Sequence, residues 1–289
     1  MGLPALPRAA AQGSPRRALP ERRARLRCSA RLPISPMRRF SPIISLFGRL
    51  APLVALLALL LASRTAHAKT GAAIGEPLRL EMPGSPDAFY YKPRARGPKP
   101  ILMYLHGRGG NPAEDCRKWA KVGSQFGWVV CPAGPGDNGN GGRTWSDAGS
   151  AQKVIDGTVA ALRAKYKGRV TRRGNVLIGF SEGAFVAMQV GLKDQTTWTK
   201  WLILGASEQY WGGDVTEAFD TEKRKVRRVY LLTGENDGVA QNTVKVGDTL
   251  KKNKVPVKVR LVPGMGHEVP GDRMVSTYRR PLAWLVAAK

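Results

Sequence analysis

Six short, nearly continuous apolar runs recur between residues 101 and 262, and this rhythm limits the fold more than any other feature. They are Ile101 to Leu105, Trp128 to Cys131, Val176 to Phe180, Trp201 to Leu204, Val229 to Leu232 and Val257 to Val262. Segments of helical length and amphipathic pattern stand between and after them: Pro112 to Phe126, Ala151 to Tyr166, Glu182 to Leu192, Gln241 to Asn253 and Arg273 to Ala288. A strand apolar along its whole length must be covered on both faces, and strands alternating with helices build a parallel sheet through right-handed crossovers. The expected fold class is therefore α/β, with a mostly parallel central sheet, helices on both faces and no large lid domain. An edge hairpin, Leu78 to Met82 and Ala88 to Lys92, is expected before the first parallel strand. In such a sheet, reactive groups gather at the carboxyl ends of the strands.

Two segments break the rhythm. Gly134 to Gly149 is rich in Gly, Asn and Asp and follows a strand end, where binding loops sit. Ala206 to Lys225 is a second excursion and carries Tyr210 and Trp211. Trp145, Tyr210 and Trp211 either line a pocket or pack over the sheet; the sequence is compatible with both.

The first 68 residues read as an address. Residues 1–36 are rich in Arg, Pro and Ala with no apolar period, as in an unstructured tract or a start assigned too early. Met37-Arg38-Arg39 opens a positive region, Leu50 to Ala62 is an apolar stretch, and Ala66-His67-Ala68 is a small-x-small cleavage site. Residues 37–68 are thus expected to be a cleaved signal peptide, leaving one domain, 69–289, without a stable membrane anchor, in the periplasm or outside the cell. Up to Ala68 there are twelve arginines and one acid, which leaves 35 basic and 20 acidic residues beyond. That excess of fifteen could attract acidic polymers or anionic surfaces, but no clustered stripe or reading motif points to nucleic acid. The pair left after cleavage, Cys116 and Cys131, is compatible with a disulfide in an oxidising compartment or with two buried thiols. Its spacing, with no histidine pair nearby, lacks a zinc-ligand pattern.

Gly179-Phe180-Ser181-Glu182-Gly183 lies between an apolar strand and a helix. A serine on a sharp strand-to-helix turn needs glycines beside it where the backbone doubles back. Its hydroxyl is a poor nucleophile until a base takes the proton. Two histidines follow the leader. His106 precedes a glycine at a strand end and suits a structural turn, whereas His267, in Gly264-Met265-Gly266-His267, lies in a loop after the last strand, placed to reach back over the sheet. The carboxylate that fixes the histidine tautomer is sought in Gly234-Glu235-Asn236-Asp237-Gly238, where Asp237 is the first choice and Glu235 a rival two residues away. Backbone donors for a tetrahedral oxyanion are expected from the N–H of Glu182, next to the serine, and from that of Arg108 in His106-Gly107-Arg108-Gly109-Gly110.

Together these blocks resemble the α/β-hydrolase superfamily. The short chain and Arg143-x-Trp145-x-Asp147 are similar to its carboxylesterase/phospholipase and dienelactone-hydrolase-like group. The likeness spans Pro100 to the C-terminus, and one departure is the acidic Glu182 where that group often has an amide or glycine. The resemblance implies a serine hydrolase with Ser181 as nucleophile, His267 as base and Asp237 as its acid, cleaving a small-molecule or polymer ester without metal or organic cofactor. Two other readings stay open: a peptidase or amidase on the same triad, and a non-catalytic exported binding protein, whose mark would be an incomplete triad.

Overall fold

The computed structural model describes residues 74–207 and 225–287. The leader, residues 1–68, and the part of the second excursion that carries Tyr210 and Trp211 lie outside the described residues.

The strands are β1 (Leu78–Leu80), β2 (Ala88–Tyr91), β3 (Ile101–Leu105), β4 (Trp128–Cys131), β5 (Gly136–Asp137), β6 (Arg143–Thr144), β7 (Val176–Phe180), β8 (Lys200–Leu204), β9 (Arg228–Gly234) and β10 (Val257–Val262). Eight form one sheet in the order β1-β2-β4-β3-β7-β8-β9-β10. The hairpin β1–β2 joins it antiparallel, with Phe89 opposite Cys131, and the pairings from β4 through β10 are parallel.

Side chains alternate across this sheet, so each apolar strand feeds two cores. Ile101, Met103 and Leu105 of β3 point to one side with Trp201 and Ile203 of β8. Leu102 and Tyr104 point to the other with Leu202 and Leu204. The first side is covered by α2 (Ala148–Lys165), α3 (Glu182–Lys193) and α4 (Ala240–Lys252), which contribute Ile155, Val186, Met188, Val246 and Leu250. The second is covered by α1 (Pro112–Gly123) and α5 (Met274–Val286), whose Trp119 and Tyr278 rings meet 4.8 Å apart. β10, an edge strand, is less buried and places Lys258 and Arg260 along its length, charges that oppose edge-to-edge association.

The boundaries differ from the periodicity in instructive places. The first helix stops at Gly123 rather than Phe126, because the chain turns back there: Phe126 and Gly127 donate to the Gly123 carbonyl at 2.8 and 3.2 Å, and Trp128 then joins the sheet through Pro100 O at 2.9 Å. α2 begins three residues before the expected Ala151, because the Asp147 carboxylate caps it by accepting from Ser150 N at 2.8 Å. The polar segment 134–149 carries structure of its own. β5 and β6 pair antiparallel within it, and the Arg143 guanidinium donates to the carbonyls of Gly134 and Pro135 at 2.9 and 2.8 Å. Of the two pairing states compatible with the sequence, the structure has the thiols: Cys116 and Cys131 are buried and unbonded, and burial pushes the Cys131 thiol pKa well up.

Candidate active site

Ser181 sits between the last residue of β7 and the first of α3, at φ 54° and ψ −119°. A side-chain-bearing residue rarely adopts that conformation, and holding it costs of order 1–3 kcal/mol, supplied by the surroundings. Those surroundings are specific. Ser181 N donates to Leu204 O at 3.1 Å, and its carbonyl accepts from Ala184 N at 2.9 Å, so strand β8 and the first turn of α3 fix both ends of the elbow. The flanking glycines are steric necessities. A Cβ on Gly183 would stand 2.2 Å from Leu105 O, and one on Gly179 would stand 2.2 Å from Gly183 O.

His267 stands over this turn, its ring centroid 4.9 Å from that of Phe180. Its Nδ1 lies 2.8 Å from Asp237 Oδ2. The Asp237 side chain is almost fully buried, whereas His267 keeps 41% of its side-chain surface open. Burial pushes the Asp237 carboxyl pKa up, but the Thr233 hydroxyl, Val239 N–H and His267 outweigh it and hold the group below the usual carboxylate range. The carboxylate therefore receives three donors and cannot swing away. Glu235, the rival, is exposed on the outside of the same turn. With Nδ1 engaged, Nε2 is the ring nitrogen left to exchange a proton.

Thr233 and Gly205 belong to this arrangement and were not singled out from the sequence. The Thr233 hydroxyl donates to Asp237 Oδ2. Gly205, at φ 67°, lies so close beneath the imidazole that a Cβ there would be 2.9 Å from His267 Cε1. The spacing Thr233-x-x-x-Asp237 was a local signal for the first; nothing local marked the second, because the ring above it arrives from 62 residues downstream.

Arg108 and Glu182 are brought together. Glu182 Oε1 lies 3.2 Å from the Arg108 guanidinium, and the carboxylate also accepts from the Thr144 hydroxyl at 2.8 Å and Trp145 N at 3.1 Å. Gly109 N donates to Arg143 O at 2.9 Å, and Arg143 N returns the bond to Gly110 O at 3.0 Å. The loop bearing Arg108, the ribbon strand β6 and the elbow are thereby laced into one unit. Among the described residues, the main-chain N–H of neither Arg108 nor Glu182 has a protein acceptor. Both residues, with Ser181, Trp145, Phe185 and Val186, border a cavity of about 460 Å³.

His106 has the structural place expected of it. It is buried, with Nδ1 2.8 Å from Gly107 O and Nε2 accepting from Gly134 N at 3.0 Å. An Nε2 that accepts carries no proton, so Nδ1–H is the donor and the ring is neutral. Burial pushes its pKa down, the Gly107 contact opposing only in part. Trp145 stacks on it at 4.9 Å and donates its indole N–H to His106 O at 2.8 Å. This tryptophan does both things the sequence allowed: it is fully buried and also borders the cavity.

A parallel sheet in this order, led by an antiparallel hairpin and carrying its elbow after the strand that follows the first crossovers, is the α/β-hydrolase fold. No protein-family model matches the chain, and no curated protein sequence is recognisably similar to it. Solved structures do resemble it. An S-formylglutathione hydrolase from Staphylococcus aureus aligns over 74% of this chain and 99% of its own, with a TM-score of 0.56 and 17% identity. An S-formylglutathione hydrolase from Agrobacterium tumefaciens aligns over 75% and 96%, with a TM-score of 0.55 and 17% identity. A Bacillus cereus carboxylesterase aligns over 68% and 92%, with a TM-score of 0.53 and 18% identity. At such identities the likeness speaks for the fold, which these hydrolases share with the present chain.

Proposed function

We propose that the chain is an exported serine hydrolase that cleaves carboxylic esters through an acyl-enzyme. The observation that carries this reading is the contact of His267 Nδ1 with the buried Asp237 carboxylate, beside a serine on a strained elbow. Ser181 Oγ attacks the ester carbonyl while its proton passes to His267 Nε2. Asp237 keeps the proton on Nδ1 and stabilises the imidazolium. The oxyanion forms against the N–H groups of Arg108 and Glu182. His267 then protonates the departing alkoxide, and a water molecule, deprotonated by the same nitrogen, releases the acid and restores Ser181. Export rests on the charged, apolar and small-x-small order of residues 37–68. The cavity, bordered by Trp145, Phe185 and Val186, is of a size suited to a short or medium acyl group.

The test is turnover of p-nitrophenyl esters of graded chain length by the protein beginning near Lys69. Hydrolysis favouring short and medium chains, with a burst of p-nitrophenol before the steady state, is expected. No hydrolysis of any ester by folded protein would contradict the reading and favour a binding role for the same cleft.

A further inference from the structure

A broad hollow lies at the amino ends of β7, β8 and β9, a strand length of about 16 Å from Ser181. It measures about 970 Å³ and is bordered by Arg173, Thr199, Lys200, Arg227, Arg228 and Pro256, among others. Parallel pairing sets Lys200 and Arg228 directly opposite each other on neighbouring strands. Like charges so placed repel, and a sheet ordinarily avoids them. The start of β9 is nevertheless tied to β8, since Arg227 N and Arg228 N both donate to Thr199 O, at 2.6 and 3.4 Å.

The cations here differ in how they are satisfied. The Arg228 guanidinium donates to Trp284 O and Ala287 O and stands 5.4 Å from the Trp284 ring, so α5 holds it. Arg173, Lys200 and Arg227 make no ion pair with a carboxylate among the described residues. Lys200 is the telling group, because it is half-buried rather than free in water. Burial first, then Arg228 and Arg227, hold its ammonium below the usual lysine range, and among the described residues no acid opposes them. Half-burying a cation beside other cations destabilises a protein unless something negative joins them.

We propose that this cleft binds a small ligand carrying adjacent phosphoryl or sulfuryl groups. Lys200, less exposed than Arg173 and Arg227, would act as a point charge, and the two arginines would offer planar forks that match tetrahedral oxyanions in pairs of hydrogen bonds. One oxyanion would leave most of the volume and part of the charge unused, whereas two or three linked groups engage all three cations. The site is separate from the ester-cleaving cleft and stands whether or not that reading holds.

The experiment is calorimetric titration of the folded protein with inorganic tripolyphosphate, comparing the native chain with Lys200→Met, Arg227→Gln and a control, Arg79→Gln, which removes one charge from the opposite edge of the sheet. The native chain is expected to bind one equivalent, with an affinity that falls steeply as salt is added. Lys200→Met and Arg227→Gln should each weaken binding at least tenfold and Arg79→Gln less than twofold. Lys200→Met should also raise the melting temperature of the ligand-free protein and abolish the further rise that tripolyphosphate gives the native chain, by the linkage of binding to stability. Absence of saturable binding at low salt, or an equal loss in Arg79→Gln, would overturn the proposal. Should Lys200→Met not fold, Arg227→Gln decides alone.

Discussion

The two ends of the sheet handle charge in opposite ways. At the carboxyl ends, Asp237 accepts from Thr233, Val239 and His267, and Glu182 from Thr144, Trp145 and Arg108. At the amino ends, Lys200 faces Arg227 and Arg228 with no carboxylate among the described residues to answer it. Charges meant to act on a bond as it breaks are useful only when their orientation is fixed in advance, because reorienting them would add to the barrier. Cations awaiting a mobile counterion need no such fixing, and they leave the fold slightly less stable until it arrives. One end is thus preorganised and the other unfinished.

Breaking the preorganised end should give the largest effect. Asp237→Asn removes the acceptor that fixes the His267 tautomer, and kcat should fall by about 10⁴-fold, as the loss of a triad carboxylate does elsewhere. Glu235→Gln, on the exposed side of the same turn, should change kcat less than threefold; steady-state kinetics on one ester ranks the two, and the reverse order would reassign the role. A smaller loss is expected from Glu182, which acts through position: it clamps the Arg108 loop and Trp145 to the elbow. Glu182→Ala should lower kcat by about 10- to 100-fold, less than the 10²–10³ that one oxyanion donor carries because the donor is displaced rather than removed, with KM nearly unchanged. Glu182→Gln, which still accepts from Thr144 and Trp145 N, should recover most of it. An equal loss in both variants would mean that the charge, and not the clamp, matters.

The smallest effect concerns His106. Its pKa is depressed in the folded state, so below the usual value of 6.5 the unfolded chain takes up a proton that the folded ring refuses. Its contribution to stability is therefore complete above that value and is lost as pH falls towards the depressed pKa. Denaturant midpoints measured between pH 7 and 5 should decline, and His106→Gln should flatten that decline while lowering stability at pH 7. An unchanged slope in the variant would place the acid sensitivity elsewhere.

How much of this was legible in the sequence depended on distance along the chain. The elbow was legible because its signature is contained in five residues, although only Gly179 is required by a contact within them and Gly183 is required by Leu105 O at the end of β3. The mostly parallel sheet and its leading hairpin were legible from apolar runs and helical spacers, which fix how strands can be covered, whereas the order of the strands came only with the structure. Asp237 could be preferred over Glu235 but not separated from it, since the turn that buries one and exposes the other is set by bonds to Val262 and Met265. Glu182 was singled out for its main-chain N–H, and its carboxylate only as a departure from a resemblance. Its meaning lies in Thr144 and Trp145, 38 and 37 residues away, inside a segment whose polar composition concealed an ordered ribbon. The cation pair Lys200 and Arg228 was invisible for the same reason, since only strand register makes them neighbours.

The central claim is that Ser181 is an activated nucleophile, and covalent labelling tests it most directly. A fluorophosphonate probe is attacked by an activated serine and held as a stable adduct. Incubated with the folded protein and mapped by peptide mass spectrometry, the probe should be found on Ser181. Ser181→Ala should lose both labelling and ester hydrolysis with an unchanged circular dichroism spectrum. Labelling on another serine, or none in a folded protein that still hydrolyses esters, would contradict the account.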